Sequence, residues 1–241
     1  MLYGGPINRR AARLLARFGA LLIGVTYVTG AARAAEPRFD DQVRDAFFSG
    51  FAGVADDLRR GMAICEAALA VDPDRADALV WHGAGLFFMA GTAFRDGDRD
   101  RGLRLQSQGL SEMDRAVALA PDRTATRVPR GAALMGAARH VANPAIATPW
   151  LRTAMTDYEA VVAFQAADWL AMSEHDRGEL LGALAEGWDR LGERTKSQTY
   201  LERIVAELPR SPYGVRATAW LADGRRPDRM TCLGCHKSPA N

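Results

Sequence analysis

An all-α fold is what this sequence predicts, on three observations. Ala, Leu and Arg far outnumber Val, Ile and Thr, the usage of helices rather than of half-buried strands. No stretch sustains the period-two alternation of a strand. Three boundaries repeat one pattern, a helix end, a proline and a new helix: Val71-Asp72-Pro73, Leu119-Ala120-Pro121 and Leu208-Pro209-Arg210-Ser211-Pro212. Proline cannot continue the helix before it and suits the first turn of the next.

Residues 1–35 read as a secretory signal peptide. Arg9, Arg10, Arg13 and Arg17 form a basic stretch, Phe18 to Val28 an apolar core, and Ala32-Arg33-Ala34 a small-x-small cleavage site. The core is about half the 20 apolar residues a membrane span requires, which favours a cleaved leader over an anchor. Cleavage is expected after Ala34 or Ala35. The residues after Arg9-Arg10 lack the placement of a twin-arginine signal, so general secretion fits better. The mature protein is then periplasmic, with no transmembrane span.

About 205 residues remain, enough for one sizeable domain. The formal charge of +2 includes five leader arginines, Arg9, Arg10, Arg13, Arg17 and Arg33, so the mature chain is near neutral or slightly acidic. It carries no polybasic patch for nucleic acid or a membrane surface.

Residues 36–222 divide into four helical hairpins. The first pairs Phe39–Val54 with Leu58–Val71, and Phe47, Phe48 and Phe51 form its packing face. The second pairs Ala76–Phe94 with Arg99–Leu119, turning at Asp96-Gly97-Asp98; the charges from Arg95 to Arg101 read as a solvated turn. The third pairs Arg123–Val141 with Leu151–Leu170 through a loop over residues 142–149. The fourth pairs His175–Leu191 with Thr195–Leu208, broken at Gly192. A short helix, Pro212–Leu221, caps the set, and Gly224 to Arg229 is a polar linker. Residues 223–241 are expected as a flexible C-terminal tail.

The proline-closed junctions, and above all the hairpin from Arg177 to Pro212, resemble consecutive tetratricopeptide repeats. Leu180, Leu181, Leu184 and Trp188 line its first helix, and Tyr200, Leu201, Ile204 and Val205 its second. The spacing of 48 residues from Pro73 to Pro121 exceeds the usual 34, so the resemblance is to an irregular array covering about two thirds of the mature chain. It implies a right-handed α-solenoid with an inner surface for a protein partner. Trp81, Phe87, Phe88, Arg127, Arg130 and Trp188 are candidates for that surface, although aromatics at helical spacing are usually core.

The tail carries the sharpest motif. Cys232-Leu233-Gly234-Cys235-His236 is C-x-x-C-H, the attachment sequence of c-type haem. Cys232 and Cys235 would form the two thioethers to one covalent haem c, and His236 would be the proximal iron ligand. Only five residues follow His236, so no cytochrome fold can be built around the group, and burying its apolar faces requires docking on the helical array. The sixth ligand is open: His82, His140 and His175 are the other histidines. His82 has Gly83 and Gly85 beside it, small residues that could admit a flat ring, whereas Met230 is too close in the chain to fold across the iron. Cys65 reads as a small buried hydrophobe.

H-E-x-x-H, G-x-S-x-G, a phosphate-cradling loop and a dinucleotide fingerprint are all missing from the sequence, which disfavours an enzyme. The chain as a whole resembles exported tetratricopeptide-repeat proteins ending in C-x-x-C-H. That resemblance implies a cell-envelope interaction role with a haem, in electron transfer or redox-partner binding. A haem-free adaptor or assembly scaffold with a thiol or metal-binding tail is the alternative, and a helical-repeat component of a transporter a weaker one.

Overall fold

The computed structural model describes residues 38–228 and residue 230. These form nine α-helices: α1 (Phe39–Phe51), α2 (Ala55–Val71), α3 (Ala76–Arg95), α4 (Arg99–Leu119), α5 (Thr124–Ala138), α6 (Pro144–Phe164), α7 (Glu174–Arg190), α8 (Arg194–Glu207) and α9 (Pro212–Asp223). A single 3-10 turn, Trp169–Ala171, lies between α6 and α7. No strand occurs among the described residues, and none of their helices is long and apolar enough to cross a membrane. The proposed leader, residues 1–35, lies outside the described residues.

Local chemistry sets several boundaries. The side chains of Asp98, Asn143, Ser173 and Ser211 each accept a hydrogen bond from a backbone N–H in the first turn of α4, α6, α7 and α9, satisfying donors that a helix start leaves open. Pro144 and Pro212 occupy first-turn positions where a missing N–H costs nothing. Gly97 and Gly192 take positive φ between α3 and α4 and between α7 and α8, a conformation that strains any residue with a Cβ.

The third hairpin departs from its expected bounds. Residues 144–149 are helical rather than loop, because Asn143 caps a turn that Pro144 is already shaped to start, and Pro149 is carried inside α6. At its other end α6 stops at Phe164 rather than Leu170. The chain turns, Leu170 faces solvent, and Trp169 is buried with its Nε1 donating to Glu207 Oε2 at 2.6 Å. A helix carried through to Leu170 would forgo that turn.

Helices adjacent in sequence pack on one another from α1 through α9, and α3 also touches α1 and α5. A close approach joins α3 to α4 at Gly83 and Gly109, where a Cβ on either would sit 2.7 or 2.6 Å from the carbonyl oxygen of the other. Phe47, Met113, Leu134, Met155, Leu181, Leu184 and Ile204 are among the fully buried side chains. Phe47 stacks on Trp81 at 5.2 Å and Phe87 meets Trp150 edge-on at 5.0 Å, geometries that add to simple burial. Trp81, Phe87 and Trp188 are therefore core residues rather than an exposed binding surface.

Candidate functional site

Cys232, Cys235 and His236 lie outside the described residues. The structure describes the root from which they leave. Gly224 closes α9 in the left-handed region at φ 69°, its N–H bonded to Trp220 O, and turns the chain back toward α7. Arg226 pairs with Asp189 at 3.0 Å near the C-terminal end of α7. Four residues later Met230 is fully buried. A Cβ on Gly182 would lie 3.3 Å from the Met230 carbonyl oxygen and 3.4 Å from its Cβ, so the glycine lets the returning chain lie on the helix. Arg216 Nη2 donates to Met230 O at 3.3 Å. The segment expected as a polar linker is thus held against α7 and α9 as far as Met230, whose side chain belongs to the core.

From Met230 one stripe of α7 runs on toward its N-terminus: Gly182, Gly178 and His175, spaced as neighbours on a single helix face. The Tyr213 ring fills the place of a side chain at Gly178, where a Cβ would come within 2.3 Å of it. Tyr213 Oη donates to Glu179 Oε1 at 2.5 Å and lies 3.1 Å from His175 Nδ1. A carboxylate oxygen only accepts, so the single phenolic proton goes to Glu179, and Tyr213 Oη then accepts from His175 Nδ1–H. His175 itself is exposed. Beside them the Arg216 guanidinium stands 5.0 Å from the Tyr213 ring centre. Its Nε is buried without a hydrogen-bond partner, and it makes no ion pair among the described residues.

The other two histidines sit elsewhere. His82 is nearly buried in α3, its Nδ1 2.6 Å from Glu112 Oε2 and its Nε2 3.8 Å from Glu66 Oε1. The glycines beside it do not open a slot for a flat ring. Gly83 is filled by the backbone of α4, and at Gly85 a Cβ would lie 2.8 Å from the Phe47 ring and closer still to the Met62 sulfur. His140 is exposed just past the end of α5, its N–H bonded to Ala137 O. The described histidines, His82, His140 and His175, are thus on or beside three different helices. Among the described residues no three His, Cys, Asp or Glu side chains are grouped to hold a metal ion.

Arg127 and Arg130, expected as candidates for a partner surface, instead neutralise a buried acid. Asp157 is completely buried in α6 and accepts from Arg130 Nε and Nη2 at 2.7 Å each and from Arg127 Nη1 at 2.8 Å. Arg130 Nη1 also reaches Asp114 of α4 at 2.9 Å. Burial by itself would lower the pKa of the Arg130 guanidinium, but the hydrogen bonds and charges of Asp157 and Asp114 outweigh it and raise it. In the next hairpin Glu186 of α7 has the equivalent role, accepting from both Nε and Nη2 of Arg139 at 2.8 Å. Sequence reasoning passed over Asp157, although an acid at the register of Ala154, Tyr158 and Val161 marks a carboxylate on a buried face that needs a cation. Cys65 is fully buried, and its thiol pKa is pushed up to about 12, mainly by burial and then by the Asp77, Glu66 and Glu112 charges. It is a structural residue.

No protein-family model matches this chain, nor does any curated protein or solved structure.

Proposed function

We propose that the chain is an exported, periplasmic monohaem c-type protein whose irregular tetratricopeptide-like array, a right-handed solenoid, binds a protein redox partner. The observation that carries this reading is C-x-x-C-H at Cys232, Cys235 and His236, joined to a leader that would deliver the chain to where such haems are attached. The in-order packing of consecutive helices and the proline-closed junctions support the repeat reading.

The haem, when bound, supplies one-electron chemistry at its iron. Cys232 and Cys235 hold it covalently, and His236 ligates it. Met230 packs at Gly182 and accepts from Arg216, two residues before Cys232. Arg216 places a cation beside that root.

The test is the visible spectrum of the reduced, alkaline pyridine-treated protein after export alongside haem-attachment machinery, with a Cys232→Ala, Cys235→Ala control. A c-type haemochrome absent from the control is the expected result. A colourless mature protein overturns the reading and leaves a repeat scaffold with a thiol tail.

A further inference from the structure

His82 of α3 stands between two carboxylates carried by other helices, Glu66 of α2 and Glu112 of α4, and no arginine or lysine among the described residues pairs with either of them. His82 is only 9% exposed. Its Nδ1 lies 2.6 Å from Glu112 Oε2, and the other oxygen of that carboxylate accepts from Gln108 Nε2 at 2.9 Å. A carboxylate oxygen only accepts, so Nδ1 carries the proton, and in the neutral ring Nε2 keeps its lone pair. Nε2 is 3.8 Å from Glu66 Oε1, beyond hydrogen-bond length, and has no hydrogen-bond partner among the described residues. A nearly buried imidazole with one nitrogen left unsatisfied calls for a partner. Negative charge is concentrated here as well. Asp77, Glu66 and Glu112 all add to the rise that burial imposes on the Cys65 thiol pKa, and of these three acids only Asp77 has an arginine, Arg75 at 2.9 Å.

We propose that His82 Nε2 and the Glu66 carboxylate together bind one divalent transition-metal ion of the zinc class, pinning α2 to α3. A neutral imidazole nitrogen and a carboxylate oxygen are a donor set for such ions. Two donors each about 2.1 Å from a tetrahedral zinc ion lie about 3.4 Å apart, so a small movement of Glu66, whose side chain is 64% exposed, closes the 3.8 Å gap. Glu112 acts one step back. By accepting the Nδ1 proton it holds the tautomer and orientation of the ring, as second hydrogen bonds do for metal-binding histidines, and Gln108 holds Glu112 in turn. This corner supplies two protein donors rather than three, so water completes the ion's shell. Cys65 takes no part, because it is fully buried and its thiol keeps its proton up to about pH 12. The site is independent of the haem reading and of the tail.

The experiment is a calorimetric zinc titration of the full-length chain carrying Cys232→Ala, Cys235→Ala and His236→Ala, so that the tail offers no competing ligands. One zinc ion per chain is expected. Glu66→Gln and His82→Gln should each weaken binding by more than about tenfold, and Glu112→Gln by about tenfold through loss of the ring's support. His140→Ala and His175→Ala should leave it unchanged. Because the Glu66 side chain is exposed, far-ultraviolet circular dichroism of Glu66→Gln should match the parent, and this variant stays decisive if His82→Gln fails to fold. Saturating zinc should raise the urea midpoint of the parent and leave that of Glu66→Gln unmoved. A parent that binds no zinc at millimolar concentration, or binding that survives Glu66→Gln, overturns the proposal. A loss of stability in Glu66→Gln that is the same with and without zinc also overturns it, since that marks a protonated His82 ion-paired with Glu66 in place of a metal.

Discussion

Arg130 grips Asp157 across the α5–α6 hairpin through two parallel hydrogen bonds, Nε to Oδ2 and Nη2 to Oδ1, each 2.7 Å long. This fork restrains the hairpin's register, because a bidentate guanidinium–carboxylate pair needs both hydrogen bonds in one plane. With Arg127 on one side and Asp114 on the other, it links α4, α5 and α6 into one network.

Removing the acid should be costly. Asp157→Ala strands two arginines that are largely shielded from water, and breaking such a pair from one side destabilises by about 3–5 kcal/mol. Urea unfolding followed by circular dichroism measures it. A loss below about 1 kcal/mol would show that the guanidinia reach water once released.

Two glycine substitutions should act in opposite directions. Gly83→Ala drives a methyl to 2.7 Å from the Gly109 carbonyl, and since that neighbour is backbone, α3 and α4 must separate, at about 1–3 kcal/mol. Gly136→Ala, inside α5 with nothing within 4 Å of the new Cβ, should instead stabilise by about 0.5 kcal/mol through helix propensity. Urea midpoints at unchanged slope distinguish the two.

The buried thiol makes stability fall with rising pH. Cys65 titrates at about 12 in the folded chain against an ordinary 9.0, so the unfolded state loses its proton first. The contribution of this group is complete below pH 9 and is lost as pH rises toward 12. Cys65→Ala should flatten that part of the stability curve relative to wild type, measured by urea midpoints across the window. In the native protein at neutral pH, Cys65 should resist a thiol reagent until urea exposes it.

The sequence by itself determined the all-α class and the order of the helices, because these depend on local quantities: helix-forming composition, apolar spacing and the proline and glycine stops. Leu69 to Pro73, Val117 to Pro121 and Val205 to Pro209 marked helix ends that the structure places within a few residues. It also set Cys232, Cys235 and His236 within five consecutive positions. Where local cues conflicted, only the tertiary structure decided. Pro144 and Pro149 argued for a loop, yet Asn143 capping and the packing of α6 on α5 made a helix of it. Tertiary structure alone paired Arg130 with Asp157, 27 residues apart, and laid Met230 on the distant Gly182. It also filled the space beside His82 with α4 and the Phe47 ring. Contacts between residues so distant in the chain are fixed by how whole helices stack, and no local pattern encodes that stacking.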